Sequence, residues 1–137
     1  SPQVRLLDGS PDWVATASED AGRIRRLHDP GAEVIILPDS TGAGTGDKVD
    51  LPALMLELGR RGINELHVEA GLRLNGALLA LGLVDELLLY LAPCLIGDSA
   101  HGLFGLPALT SLETRKKLKI LDGRQIGDDF RLRARFV

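Results

Sequence analysis

The segment Val68-Glu69-Ala70-Gly71 concentrates residue types that can do chemistry. A strand-like run over residues 63–69 ends in a carboxylate and passes within two residues into a glycine and a helical pattern. In open α/β sheets ligands sit at the carboxyl ends of strands. A helix start offers unpaired N–H groups and the positive end of its dipole to an anion, and a glycine there lets a phosphate come close to the backbone. Glu69, at the strand end, is placed to accept hydrogen bonds from the same ligand. On pattern alone two readings stay open: an anionic-ligand site, or a plain strand-to-helix turn in which Glu69 serves the helix start.

The elements that must position this segment follow from hydrophobic period. Residues 12–17 and 33–37 read as short strands, and residues 19–28 between them are polar and uninformative. Residues 40–47, rich in Gly, Thr and Ser, read as an exposed connection. Asp50 can cap a helix in which Leu51, Leu54, Met55 and Leu58 form one stripe, with Arg60, Arg61 and Gly62 as its end. A strand over 63–69, a helix from Gly71 with Leu74, Leu78 and Leu81 on one face, and an apolar strand over 87–92 complete a β-α-β-α-β order. That order predicts parallel strands joined by crossovers, with 87–92 as a central strand covered on both faces. At the end of the chain, Phe130, Leu132, Ala134 and Phe136 alternate with Arg131, Arg133 and Arg135. Paired with the run containing Leu118 and Ile120, this predicts an antiparallel hairpin with a connection over 123–129 and one solvated face. The expected architecture is a single-domain, three-layer α/β/α fold whose mixed sheet has a parallel core.

Composition narrows the function classes. With 137 residues, 45% of them hydrophobic, the chain fits one domain with enough apolar mass for a core. A formal charge of −3 and 4% aromatic residues offer neither the basic surface nor the stacking platforms of most nucleic-acid binders, so no nucleic-acid partner is expected. The apolar stretch over 87–93 is far short of the ~20 residues that a membrane span needs. No secretory signal pattern is seen at the amino terminus, and the lone Cys94 cannot form an intramolecular disulfide, so a reducing, cytoplasmic setting without membrane partners is expected.

The remaining candidates have plain readings. Residues 42–48 miss the spacing of a phosphate loop, with Val49 where a Ser or Thr must bind magnesium, and they also fail the dinucleotide fingerprint. His67 shares a face with Glu69 if its strand is regular. His28 and His101 read as loop residues, and three dispersed histidines do not make a metal site. Cys94 reads as a small buried apolar group, and Arg131, Arg133 and Arg135 as a solvated stripe.

Residues 63–71 (INELHVEAG), Leu74 with 75–79 (NGALL), 82–87 (GLVDEL), 91–93 (LAP) and 95–97 (LIG) together resemble the reductase half of the bifunctional riboflavin-biosynthesis deaminase/reductase. A weaker similarity runs from about Trp13 to Phe136 and takes in the Gly102, Leu103, Phe104 loop. The resemblance implies a dihydrofolate-reductase-like fold and NADPH-dependent reduction of the ribosyl group of 5-amino-6-(5-phosphoribosylamino)uracil to the ribityl product. It implies Glu69 as the substrate contact and Gly71, Leu72, Arg73, Leu74, Asn75, Gly76 and Ala77 as the cofactor segment, with no covalent nucleophile. Arg73 and Asn75 stand where the family often has small or apolar residues, which would alter cofactor contacts or add a pyrophosphate partner. The family's first reductase strands and its deaminase half have no counterpart here, so a partial domain is expected. A homodimer with a small pyrimidine ribosyl-phosphate substrate is the expected assembly. The alternatives are a non-catalytic, self-associating fragment and a related dihydrofolate-reductase-like enzyme acting on another substrate.

Overall fold

A computed structural model describes residues 12–28, 32–39, 48–97, 100 and 102–137. The chain divides into two compact units, Ser1–Leu66 and His67–Val137. The fold is α/β, with a parallel strand pair in the first unit and an antiparallel three-stranded sheet in the second.

In the first unit, β1 (Trp13–Thr16) and β2 (Glu33–Ile36) pair in parallel, Trp13 opposite Glu33 and Thr16 opposite Ile36. Between them the polar stretch forms a helix, α1 (Ala21–His28), which hydropathy gave no reason to expect. Its start is nonetheless capped, because Asp20 Oδ1 accepts from Arg23 N at 2.7 Å, and His28 therefore ends a helix rather than lying in a loop. The second helix, α2 (Leu51–Arg60), forms where the apolar stripe predicts it. Asp50 Oδ1 accepts from Ala53 N at 2.9 Å, Pro52 occupies the first turn, and Gly62 takes φ 86° just past the end. Arg61 then ties the unit together: it pairs with Glu33 and with Glu57, each at 2.8 Å, and lies 4.8 Å over the Trp13 ring. The Glu33 carboxylate, followed by Glu57, raises the Arg61 pKa, while Arg61 lowers that of Glu57.

The second unit holds α3 (Leu72–Ala80), β3 (Glu86–Leu91), β4 (Leu118–Ile126) and β5 (Asp129–Phe136), with a 3-10 turn at Leu112–Thr114. The strand order is β3-β5-β4, and both pairings are antiparallel. The run over 87–92 is thus an edge strand, not a central parallel one. Its register sets Leu88 and Tyr90, both exposed, opposite Arg133 and Arg131, and the less exposed Leu87 and Leu89 opposite Ala134 and Leu132. The closing hairpin forms as expected, with a tighter turn: β4 continues to Ile126 and Gly127 turns the chain at φ 60°. A register shift between Ile120 and Asp122 flips the alternation of β4. Asp122 consequently joins the arginine face, where it pairs with Arg131. That pairing lowers the Asp122 pKa, first through the hydrogen bond from Arg131 and then through the surrounding arginine charges. Arg133 and Arg135 are exposed and pair with Glu86, whereas Arg131 is half-buried and pairs with Asp122, so only part of the arginine stripe is solvated.

Residues 63–69 form no strand. A ladder needs a hydrogen-bonded neighbour, and no described residue supplies one; Leu66 and Val68 are exposed. Cys94, expected to be buried, is exposed beside the exposed Leu95 and Ile96. The most buried apolar residues are Ala32 and Ile35 in the first unit and Leu78, Leu79 and Ala134 in the second. The connection at 40–47 and His101 lie outside the described residues. Among the described residues no helix is long and apolar enough to cross a membrane.

Candidate active site

The start of α3 is built differently from an ordinary capped helix. Its N-cap is Gly71, in extended backbone at φ −83°, ψ 173°, and no side chain caps the first-turn N–H groups. A Cβ at Gly71 would meet nothing within 4 Å, so this glycine is not demanded by the packing of the chain itself. Residues 70–74 line an open depression of about 380 Å³. Arg73 lines it and has no ion-pair partner among the described residues. The uncapped first-turn amides and the positive end of the helix dipole lie at this start, which favours an anion, while the surface lining the depression is mainly apolar.

Glu69 precedes this helix start and is 87% exposed. Its Oε1 lies 3.4 Å from His67 Nε2, so these two side chains share a side of the extended backbone although no ladder fixes it. Glu69 does not cap α3. Its carboxylate is therefore left able to accept from a ligand.

Behind the depression, α3 is held by a loop. Gly105 N donates to Leu72 O at 2.8 Å, and Gly76 lies so close that a Cβ there would stand 2.4 Å from Gly105 O. Asn75 Nδ2 donates to Ala70 O at 2.9 Å and to Leu103 O at 3.3 Å. The carboxamide NH2 of Asn75 is thus engaged with two backbone carbonyls. Gly76 is buried and acts through close backbone approach, and Ala77 lies deeper in the helix, its carbonyl accepting from Leu81 N. Gly71 to Leu74 thus line the depression and Glu69 is exposed just before it in the chain, whereas Asn75, Gly76 and Ala77 are not among its lining residues. The roles of Leu103 and Gly105 have no local sequence signal beyond a loop rich in glycine. Among the described residues no group of His, Cys, Asp and Glu is arranged to hold a metal ion.

A family model for the RibD C-terminal domain matches residues 1–132. The chain belongs to this family. It is 39% identical over 117 residues to the riboflavin biosynthesis protein RibD of Escherichia coli K12, covering 85% of this chain and 29% of that protein. It is 35% identical over 85 residues to the 5-amino-6-(5-phosphoribosylamino)uracil reductase of Buchnera aphidicola from Acyrthosiphon pisum, covering 62% of this chain and 41% of that one. The solved structure of Acinetobacter baumannii RibD superposes with a TM-score of 0.78 at 26% identity, over 100% of this chain and 35% of that one. This RibD C-terminal domain chain therefore spans well under half of each of these relatives.

Proposed function

We propose that this chain is a single, partial reductase domain that binds NADPH at the start of α3 and reduces 5-amino-6-(5-phosphoribosylamino)uracil to its ribitylamino counterpart. The observation that carries this reading is the uncapped, sterically open helix start at Gly71 with Glu69 two residues before it. The residues present fit a phosphate-bearing cofactor: amides without a capping side chain, space over Gly71, and a guanidinium without a carboxylate partner. In this reading the first-turn amides of α3 and Arg73 hold a cofactor phosphate, Gly71 to Leu74 contact the cofactor, and Asn75, Gly76 and Ala77 complete the segment by supporting it. When bound, the nicotinamide supplies the hydride for the ribosyl carbon.

Glu69 accepts hydrogen bonds from the hydroxyl or ring N–H groups of the substrate and fixes its approach, a contribution of orientation rather than covalent chemistry. The relative named as a uracil-derivative reductase supports this choice of substrate. We also place the domain in a cytoplasmic homodimer; among the described residues β3 and β4 are the outer strands of their sheet, and open sheet edges favour association.

Fluorescence titration of the chain with NADPH tests the assignment, with NADH as the comparison. Saturable binding, tighter for NADPH, is the expected result, and no binding of either overturns it. Glu69→Gln should leave NADPH affinity unchanged and weaken substrate binding. Equal loss of both would mean that Glu69 belongs to the cofactor site.

A further inference from the structure

We propose that Asn75 is the positioning residue of this site, a tie whose carboxamide fixes the approach segment and the 103–105 loop to α3. The inference rests on the reading of the α3 start as a cofactor site, but its structural half can be tested without any cofactor. Asn75 sits in the second turn of α3, and its single Nδ2 reaches two carbonyls that the backbone leaves available. One belongs to Ala70, five residues earlier, between Glu69 and the helix; the other belongs to Leu103, 28 residues later.

Both acceptors need a donor, and a side-chain NH2 has two N–H groups to give. The tie acts beside a second link between the same elements, from Gly105 N to Leu72 O, and beside the close approach of Gly76 to Gly105. Two helix residues, Leu72 and Asn75, therefore hold the loop on one side of the first turn, and Asn75 alone also holds Ala70.

The functional consequence follows from what Ala70 separates. Upstream lies Glu69, the proposed substrate contact, and downstream lie the amides of the proposed phosphate site. Residues 67–69 have no ladder among the described residues, so the approach of this short segment to α3 is set by what grips Ala70. The hydrogen bond from Asn75 fixes the spacing between the carboxylate and the helix start before any ligand arrives, which is preorganisation of a site by a residue that does not touch the ligand. Asn75 is distinguished here from a packing residue by its donor. Its shape could be kept by aspartate, its donor could not.

That distinction supplies the test. Asn75→Asp keeps the shape but presents a carboxylate to two carbonyl oxygens, whereas Asn75→Ala simply removes the tie. Amide hydrogen exchange at Gly105 in the ligand-free chain should quicken about tenfold in Asn75→Ala and more in Asn75→Asp, the scale expected for loss of a hydrogen bond. The NADPH dissociation constant of Asn75→Ala should rise by a similar factor. The opposite order, with Asn75→Asp protected like the parent and only Asn75→Ala affected, would show a packing role and overturn the proposal, as would unchanged protection in both. If the parent chain fails to bind NADPH, the cofactor reading falls while the order of exchange rates still decides whether the tie exists. If exchange follows the predicted order but Asn75→Ala binds NADPH as the parent does, the tie is real and its positioning role is refuted.

Discussion

Helices α2 and α3 have similar lengths, each begins near an acidic residue and each contains a glycine, yet they are secured by opposite means. At α2, Asp50 turns its carboxylate onto Ala53 N, Pro52 fits the first turn, and Arg61 closes the far end by binding Glu57. Gly59 meets nothing that a Cβ would touch. At α3, no side chain caps the start, Glu69 is exposed, and Gly76 is wedged against Gly105. A helix that provides its own caps is stable locally and has little to offer a ligand at its start. One held by a loop can leave the amides of its first turn free, and the proposed site is on that second helix.

The sharpest break of this comparison is a pair of identical substitutions. Glycine to alanine inside a helix ordinarily stabilises by about 1 kcal/mol, and Gly59→Ala should show that gain. Gly76→Ala should do the reverse and cost about 1–3 kcal/mol, because the new methyl would stand 2.4 Å from a backbone oxygen that must move. Urea unfolding midpoints measure both, and a gain at both positions would mean that the loop does not grip α3.

A next contrast exchanges the caps. Gly71→Asp gives α3 the cap that α2 already has, so stability should rise by a few tenths of a kcal/mol. The added carboxylate would occupy the proposed phosphate position, so NADPH affinity should fall about tenfold, a change of about 1.4 kcal/mol. Asp50→Ala should cost about 1 kcal/mol of stability with no change in NADPH affinity. Cofactor affinity that follows Asp50 rather than Gly71 would reverse the assignment of the two helices.

Much of the α2 side was legible because its causes are local. A stripe at i, i+3, i+4 and i+7, a capping aspartate and a terminal glycine all lie within the thirteen residues from Asp50 to Gly62. The position of the α3 start and the arginine alternation of β5 were legible for the same reason. What escaped depends on distant partners. Residues 63–69 have strand composition, but a ladder is a property of two segments. The register shift at Leu121 carries no compositional mark, and it decides which face Asp122 joins. Asn75 looks like a polar interruption of a helix until Leu103 is placed beside it, and Gly76 looks like a weak helix former until Gly105 is. The α1 helix was missed for a different reason: its polar sequence hides a good cap at Asp20.

The smallest expected effect sharpens the comparison at the other end of α2. Arg61 lowers the pKa of Glu57 chiefly through the hydrogen bond to its carboxylate, so the folded chain holds this proton less tightly than the unfolded one. The associated stability is fully present above the ordinary glutamate pKa of about 4.3 and is lost as pH falls through the lower folded value. Glu57→Gln should therefore flatten part of the acid limb of a stability-versus-pH curve, while leaving the shape of the curve above about pH 6 unchanged. Asp122, lowered by Arg131, contributes a limb of the same sign, so the double variant with Asp122→Asn should flatten it further. Neither variant touches the start of α3, and NADPH affinity at neutral pH should remain that of the parent. An acid limb unaltered by both changes would mean that these arginine-carboxylate pairs are too well hydrated to hold their elements, and that α2 relies on Asp50 and its apolar stripe alone.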